Sequence, residues 1–172
     1  RDSVLYMYTE PVLWNEQYQL YGDTIAIYMN DSTIEYAHVI QFAFAAQHVD
    51  SSYYNQLKGN DLKAYFEGQA VHQGNAESIF YPLEKDGAKV GMNETKSGFL
   101  TIWVKDNKLD KLKIWPSPVG SMTPIPDLKP DQKMLKDFYW FDYLRPKNRD
   151  DIYEVVKRKA TESPKRSNKF VH

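Results

Sequence analysis

The amino-acid sequence predicts an all-β fold of repeated strand-turn-strand units, closed by a short helical C-terminal extension. Three observations carry that expectation. Apolar residues recur at every second position through several runs, the spacing that gives a strand one apolar and one polar face. One such run, QLYGDTIAIYMNDSTIEYAHVI from Gln19 to Ile40, returns twice further along the chain. Thirteen (13) of the 172 residues are tyrosine, a strand-favouring side chain, and 42% of the chain is hydrophobic, which excludes wholesale disorder.

The repeat is seen by setting Gly22 against Gly59 and Ser97. Ile25, Ile27 and Met29 then fall beside Leu62, Ala64 and Phe66, and beside Leu100, Ile102 and Val104. The period is about 37 or 38 residues, in the range of stacked architectures. Polar residues follow each apolar triplet: Asn30-Asp31-Ser32, Glu67-Gly68 and Asp106-Asn107-Lys108. Any antiparallel protein alternates strand and turn, so the specific support is the pair Gln19-Leu20, matched by Gln56-Leu57 at the same offset before its glycine. The third unit departs in reading Ser97-Gly98, and the second lacks an apolar residue after its turn. Parity places Ile25, Ile27, Leu62, Ala64, Phe66, Ile102 and Val104 toward one interior. Ala26, Tyr28, Lys63, Tyr65, Thr101 and Trp103 should point the other way.

The elements follow in order. Ser3 to Trp14 reads as an opening strand that Pro11 confines to an edge or breaks. A long strand from Thr33 to Ala46 carries Ile34, Tyr36, His38, Ile40, Phe42 and Phe44 on one parity, and its length predicts a bulge or bend. The second unit runs from Gly59 to Gln73, is broken at Gly74-Asn75, and restarts over Ala76 to Tyr81. Pro82 to Asn93 reads as a loop, and Phe99 to Trp115 as a hairpin turning at Asp106-Asn107. Five prolines between Pro116 and Pro130 exclude a central strand there. Met134 to Tyr143 reads as a helical turn or two, then an extended piece covering the open end of the domain. Asp150 to Ala160 has acids first and bases last, an order that suits a short helix. The polar, basic stretch from Thr161 to His172 has the composition of a flexible tail, which could meet an anionic partner.

Composition and motifs narrow the function. The net charge of −1 offers no overall attraction for nucleic acid, and no apolar run is long enough for a membrane helix. Cysteine is absent, which removes disulfides and thiolate metal sites. The chain opens at Arg1 rather than methionine, as a processed segment of a longer precursor would. His38, His48, His72 and His172 have no metal-ligand spacing, and P-loop, G-x-S-x-G and G-x-G-x-x-G signatures are missing. Asp23, Asp31, Asp61, Asp106 and Asp110 sit at turn-like positions; a glycosidase pair is conceivable, but turn chemistry accounts for them. His38, among apolar neighbours, reads as a satisfied core histidine. No cofactor is expected. The surplus of alternating apolar side chains either fills a core or lines a cavity for an apolar ligand.

Val12 to Ala37 (VLWNEQYQLYGDTIAIYMNDSTIEYA), Tyr53 to Phe66 (YYNQLKGNDLKAYF), Gly74 to Tyr81 (GNAESIFY) and Phe138 to Pro146 (FYWFDYLRP) together resemble the OstA-like, or organic-solvent-tolerance, proteins of Gram-negative envelopes, in the form found in Bacteroides and relatives. The resemblance covers about residues 5 to 146. It leads one to expect several more residues between Val71 and Gly74 than this chain has. It implies a half-open β-jelly-roll, folded like a taco, over residues 1–146, with residues 147–172 as a helical or flexible basic tail. It further implies a non-catalytic periplasmic carrier or bridge for lipopolysaccharide in outer-membrane biogenesis, its signal peptide removed, with association with the outer membrane open to it. The acyl chains would lie in an interior groove, for which Ile25, Ile27, Phe42, Phe44, Leu62, Ala64, Phe66, Ile102, Val104, Leu112 and Ile114 are the candidates. Partners would be other lipopolysaccharide-transport proteins, joined through edge strands, and further copies stacked end to end. Two alternatives remain open from the residues: a β-sandwich carbohydrate-binding module using Trp14, Trp103 and Trp115 as sugar platforms, and an all-β glycan-cleaving enzyme.

Overall fold

In a computed structural model the chain forms one antiparallel sheet bent across its middle. Residues 3–15, 17–31, 33–65, 69–105, 108–153 and 156–159 are described. The strands are β1 (Ser3–Met7), β2 (Val12–Asn15), β3 (Tyr18–Tyr21), β4 (Thr24–Asn30), β5 (Thr33–Asp50), β6 (Tyr53–Tyr65), β7 (Gln69–Phe80), β8 (Gly91–Lys105), β9 (Lys108–Trp115) and β10 (Val119–Pro124). The opening stretch breaks as Pro11 predicts: Thr9 and Glu10 take positive φ between β1 and β2.

The bend comes from irregularities that line up across neighbouring strands. Gln41 and Phe42 of β5 have φ of 61° and 51°, and the β5–β6 register slips between Ile40 and Ala43. Opposite them the β6–β7 register slips between Lys58 and Asp61, and β7–β8 between Gln73 and Ala76, where Gly74 and Asn75 are again left-handed. A bulge raises local twist and turns a strand, so bulges stacked across a sheet fold it. Gly22 lies on the same line, between β3 and β4, which pair with the two halves of β5. A side chain at Gly22 would collide with Val39 and the Gln41 carbonyl oxygen, so the close approach of the two backbones requires glycine.

The line divides the sheet into two arms. The first runs β1, β4, β5, β6, β7, β8, β9 and the second β2, β3, β5, β6, β7, β8, β10, with β5 to β8 passing through both. Gly59 and Ser97-Gly98 therefore mark the bend within long strands rather than strand starts, while Gly22 marks it between β3 and β4. The break expected at Gly74-Asn75 is likewise a bulge in a continuous β7. The proline-rich stretch does contain a strand, β10, but at the sheet's edge, where unpaired N–H positions tolerate it.

After β10 the chain turns through short 3-10 segments at Ile125–Asp127, Pro130–Gln132 and Asp142–Leu144 and lies on the outer face of the second arm. This strap, which we take as residues 125–144, corrects two expectations. It covers a sheet face and not an open end, because the outward-facing Tyr21, Phe44 and Ile79 make that face apolar and Leu135 and Phe141 bury it. It also contains no α-helix. Beyond it, Asp150–Tyr153 is a single 3-10 turn in place of the helix expected from Asp150 to Ala160, and Arg158 reaches back to Glu10, its Nη1 3.1 Å from the carboxylate. Among the described residues no helix is long and apolar enough to cross a membrane.

Candidate functional site

Directly paired residues of an antiparallel sheet lie on one face, so the register gives the lining of the fold. Beside the bend, one row of the first arm reads Met7, Ile25, Val39, Leu62, His72, Leu100, Ile114 across β1, β4, β5, β6, β7, β8 and β9. The next row out reads Leu5, Ile27, Ala37, Ala64, Ala70, Ile102, Leu112. On the second arm the row nearest the bend is Leu13, Leu20, Ala45, Leu57, Ser78, Thr95, Gly120. Leu13, Leu20 and Ala45 pack onto the Ile25–Val39–Leu62 cluster, which establishes that these rows face each other inside the fold.

Close to the bend the interior is shut. Ile25, Ala37, Val39, Ala43 and Leu62 are fully buried in one cluster, and Leu100 is fully buried in a second with Leu57 and Ala76. Exposure returns outward: Leu5 is 51% exposed at one end of the outer row and Leu112 42% at the other, with Ile27 still buried between. Met29 and Ile34, paired one step further out, are half-buried and exposed. The first arm thus carries an apolar wall that starts in a packed core and opens to solvent. On the second arm the lining carries a polar pair away from the bend, where Gln47 stands opposite Asn55 and Asn55 Nδ2 donates to Gln47 Oε1 at 3.0 Å.

Of the sequence candidates, Ile25, Ile27, Leu62, Ala64, Leu112 and Ile114 come together on this wall, and Ile102 occupies a register position in it. Val104 lies past a slip in the β8–β9 register, paired with Leu109, and Phe66 lies outside the described residues. Phe42 and Phe44 do not belong to the wall. Phe42 sits in the bulge, 51% exposed, while Phe44 is buried on the outer face, stacked on Tyr21 at 5.0 Å beneath the strap. The reason is that both faces of β5 are apolar. Its smaller side chains, Ala37, Val39, Ala43 and Ala45, fit the narrow interior, and its larger ones face out. His38 consequently stands on the outer face and not in the core, 3.4 Å from the Asp61 carboxylate. Trp14 packs with the strap cluster, whereas Trp103 and Trp115 lie on the open outer face of the first arm.

Sequence reasoning missed the role of two glutamines. Gln19 and Gln56, both buried, point outward and hold the strap as a missing strand would. Gln19 Nε2 donates to the Tyr139 carbonyl at 2.9 Å and Oε1 accepts from Phe141 N–H at 2.8 Å. Gln56 does the same with the Lys133 carbonyl and Leu135 N–H, each at 2.8 Å. The signal was present in the repeated Gln-Leu pair, whose glutamine grips the strap while its leucine enters the interior.

No family model matches the chain, and no curated protein matches it in sequence. Among solved structures it is similar to LptH of Pseudomonas aeruginosa, described as the LptA-homologous periplasmic component of the conserved lipopolysaccharide transport device. The likeness has a TM-score of 0.51 at 13% identity and covers 70% of this chain and 82% of that one. The fold is therefore an open, antiparallel β-jelly-roll of the LptA kind.

Proposed function

We propose that this chain is a non-catalytic carrier or bridge for lipopolysaccharide, working in the periplasm in outer-membrane biogenesis. One observation carries the reading. The apolar row from Leu5 through Ile27 to Leu112 is continuous across the first arm, yet exposed at both ends of the row. An acyl chain laid along it gains about 0.8 kcal/mol for each CH₂ withdrawn from water, and no charged side chain is needed to hold it. The Gln47–Asn55 amide pair on the facing arm supplies hydrogen-bonding groups for the polar part of an amphipathic ligand. The likeness to LptH supports the same reading through the fold.

Partners of such a protein would be other components of lipopolysaccharide transport and further copies of this chain. Each arm ends in strands bonded on one side only among the described residues, β1 and β9 on the first and β2 and β10 on the second. Unsatisfied edges of this kind take up strands from a partner. We take residues 1–146 as the carrier domain and 147–172 as its basic tail.

The test is a fluorescence titration with lipopolysaccharide, repeated after Leu112→Asp. Leu112 is exposed enough for the fold to tolerate the change, but a carboxylate beside an acyl chain costs several kcal/mol. Loss of lipopolysaccharide binding with an unchanged circular dichroism spectrum is the expected result. Undiminished binding by the folded variant would rule this wall out.

A further inference from the structure

The strap covers the outer face of the second arm, but the outer face of the first arm is left uncovered by the described residues and has a composition of its own. Tyr28, Tyr36 and Tyr65 stand side by side on β4, β5 and β6, with Tyr28 stacked on Tyr36 at 4.4 Å and Tyr65 5.2 Å beyond. Trp103 on β8 continues the same register row, is half-buried, and has no ring partner among the described residues. Lys111 stands beside it on β9, and the adjacent row holds Lys63 and Lys113. Lys63 Nζ lies 5.8 Å over the Tyr36 ring and Lys113 Nζ 4.9 Å over the Trp115 ring. Of the described carboxylates near this face, Asp61 is engaged by His38 and Glu35 lies within electrostatic reach of Tyr36, and none pairs with these three lysines.

We infer that this face binds an acidic saccharide, a chain of sugar rings with carboxylate or phosphate groups spaced along it. A free aromatic face takes the C–H side of a sugar ring, which suits Trp103, and the edges of the tyrosine row offer hydroxyls for hydrogen bonding. Lys63 and Lys113 are separated by three strand spacings, roughly 14 Å, so they meet charges on different rings of one chain. Single-stranded nucleic acid also uses aromatic platforms on sheets, but it carries a charge on every residue and calls for a strongly basic groove. A few lysines in a chain of net charge −1 suit a ligand of sparse charge. A bilayer surface would use the lysines without needing the aromatic row.

This inference does not depend on the lipid reading, because it concerns the opposite face of the sheet. The intact protein is titrated at low salt with oligogalacturonate, and in parallel with a neutral maltooligosaccharide, an oligothymidylate of equal length and phosphatidylglycerol vesicles. Oligogalacturonate is expected to bind best and more weakly as salt is raised. Trp103→Ala, and separately the pair Lys63→Gln and Lys113→Gln, should each weaken it by about tenfold, while Leu112→Asp on the inner wall leaves it unchanged. The lysine pair is exposed or half-buried on the surface and keeps the test valid should the tryptophan variant misfold. Equal affinity for the neutral sugar, tighter binding of the oligothymidylate or the vesicles, no binding of oligogalacturonate, or indifference to the lysine pair would each overturn the proposal.

Discussion

Gln19 and Gln56 show how single polar residues can hold a large apolar contact in place. Each buried amide satisfies one carbonyl and one N–H of the strap, groups that would otherwise lie unpaired against an apolar sheet. Replacing either by alanine should therefore cost about 1–3 kcal/mol, the penalty of leaving buried backbone groups unsatisfied. Urea denaturation of each variant measures it, and a change near zero would mean that water replaces the amide. Tyr21 and Tyr81 grip the strap as well, and make stability depend on pH. Burial, with Tyr53 nearby, pushes the Tyr81 phenol from its ordinary 10.0 up to about 12. Burial pushes Tyr21 in the same direction, partly opposed by the hydrogen bond from the Tyr139 backbone. The unfolded chain thus loses these protons first as pH rises above 10.0, so the stability is full below that value and declines as pH climbs toward 12. Denaturation midpoints measured up to about pH 12 should fall more gently for the Tyr21→Phe, Tyr81→Phe double variant than for the parent protein.

Among the elements, the bent strands decide the architecture. Gly22→Ala would drive its Cβ to 2.4 Å from Val39 Cγ1 and 2.9 Å from the Gln41 carbonyl oxygen, and relief requires the backbone to move. A loss of roughly 1–3 kcal/mol is expected by thermal denaturation, larger than for Gly87→Ala, whose added methyl meets open space. The glycine repeat was legible in the sequence because the bend recurs in successive strands. Its meaning was not legible, since a bulge and a strand start leave the same local mark. β5 illustrates the limit of parity: with Tyr36, Phe42 and Phe44 on one parity and Ala37, Val39, Ala43 and Ala45 on the other, both faces read as apolar. The bulkier set looked like the lining, but the space inside the bend admits only the smaller one. The strap was visible as an aromatic stretch, yet its landing place depends on contacts with Gln19, Gln56 and Tyr21, more than a hundred residues away from its end in two cases.

At the scale of the whole molecule, the two arms assign different work to different surfaces. The inner wall of the first arm is apolar and opens outward, the outer face of the second is sealed by the strap, and among the described residues the outer strands of both arms are paired on one side only. Association through those edges predicts a concentration-dependent mass in light scattering, and a strict monomer at all concentrations would count against a bridge built of stacked copies. The all-β class and the aliphatic inner positions Ile25, Ile27 and Leu62 were readable from spacing two apart. Which arm each strand half joins was not, because pairing across the bend is a property of the folded sheet.

Lipid on the inner wall is tested most directly by a photocrosslinking amino acid placed at Leu112 or Leu5, and for comparison at Leu83, which is exposed between β7 and β8 and belongs to neither face of the first arm, when lipopolysaccharide and its lipid-free polysaccharide are offered side by side. Crosslinks to lipopolysaccharide from Leu112 and Leu5 but not from Leu83, with none at the inner positions to the lipid-free polysaccharide, are the predicted result. Crosslinks to lipopolysaccharide from Leu83 alone, or equal capture of the lipid-free polysaccharide at Leu112, would contradict it.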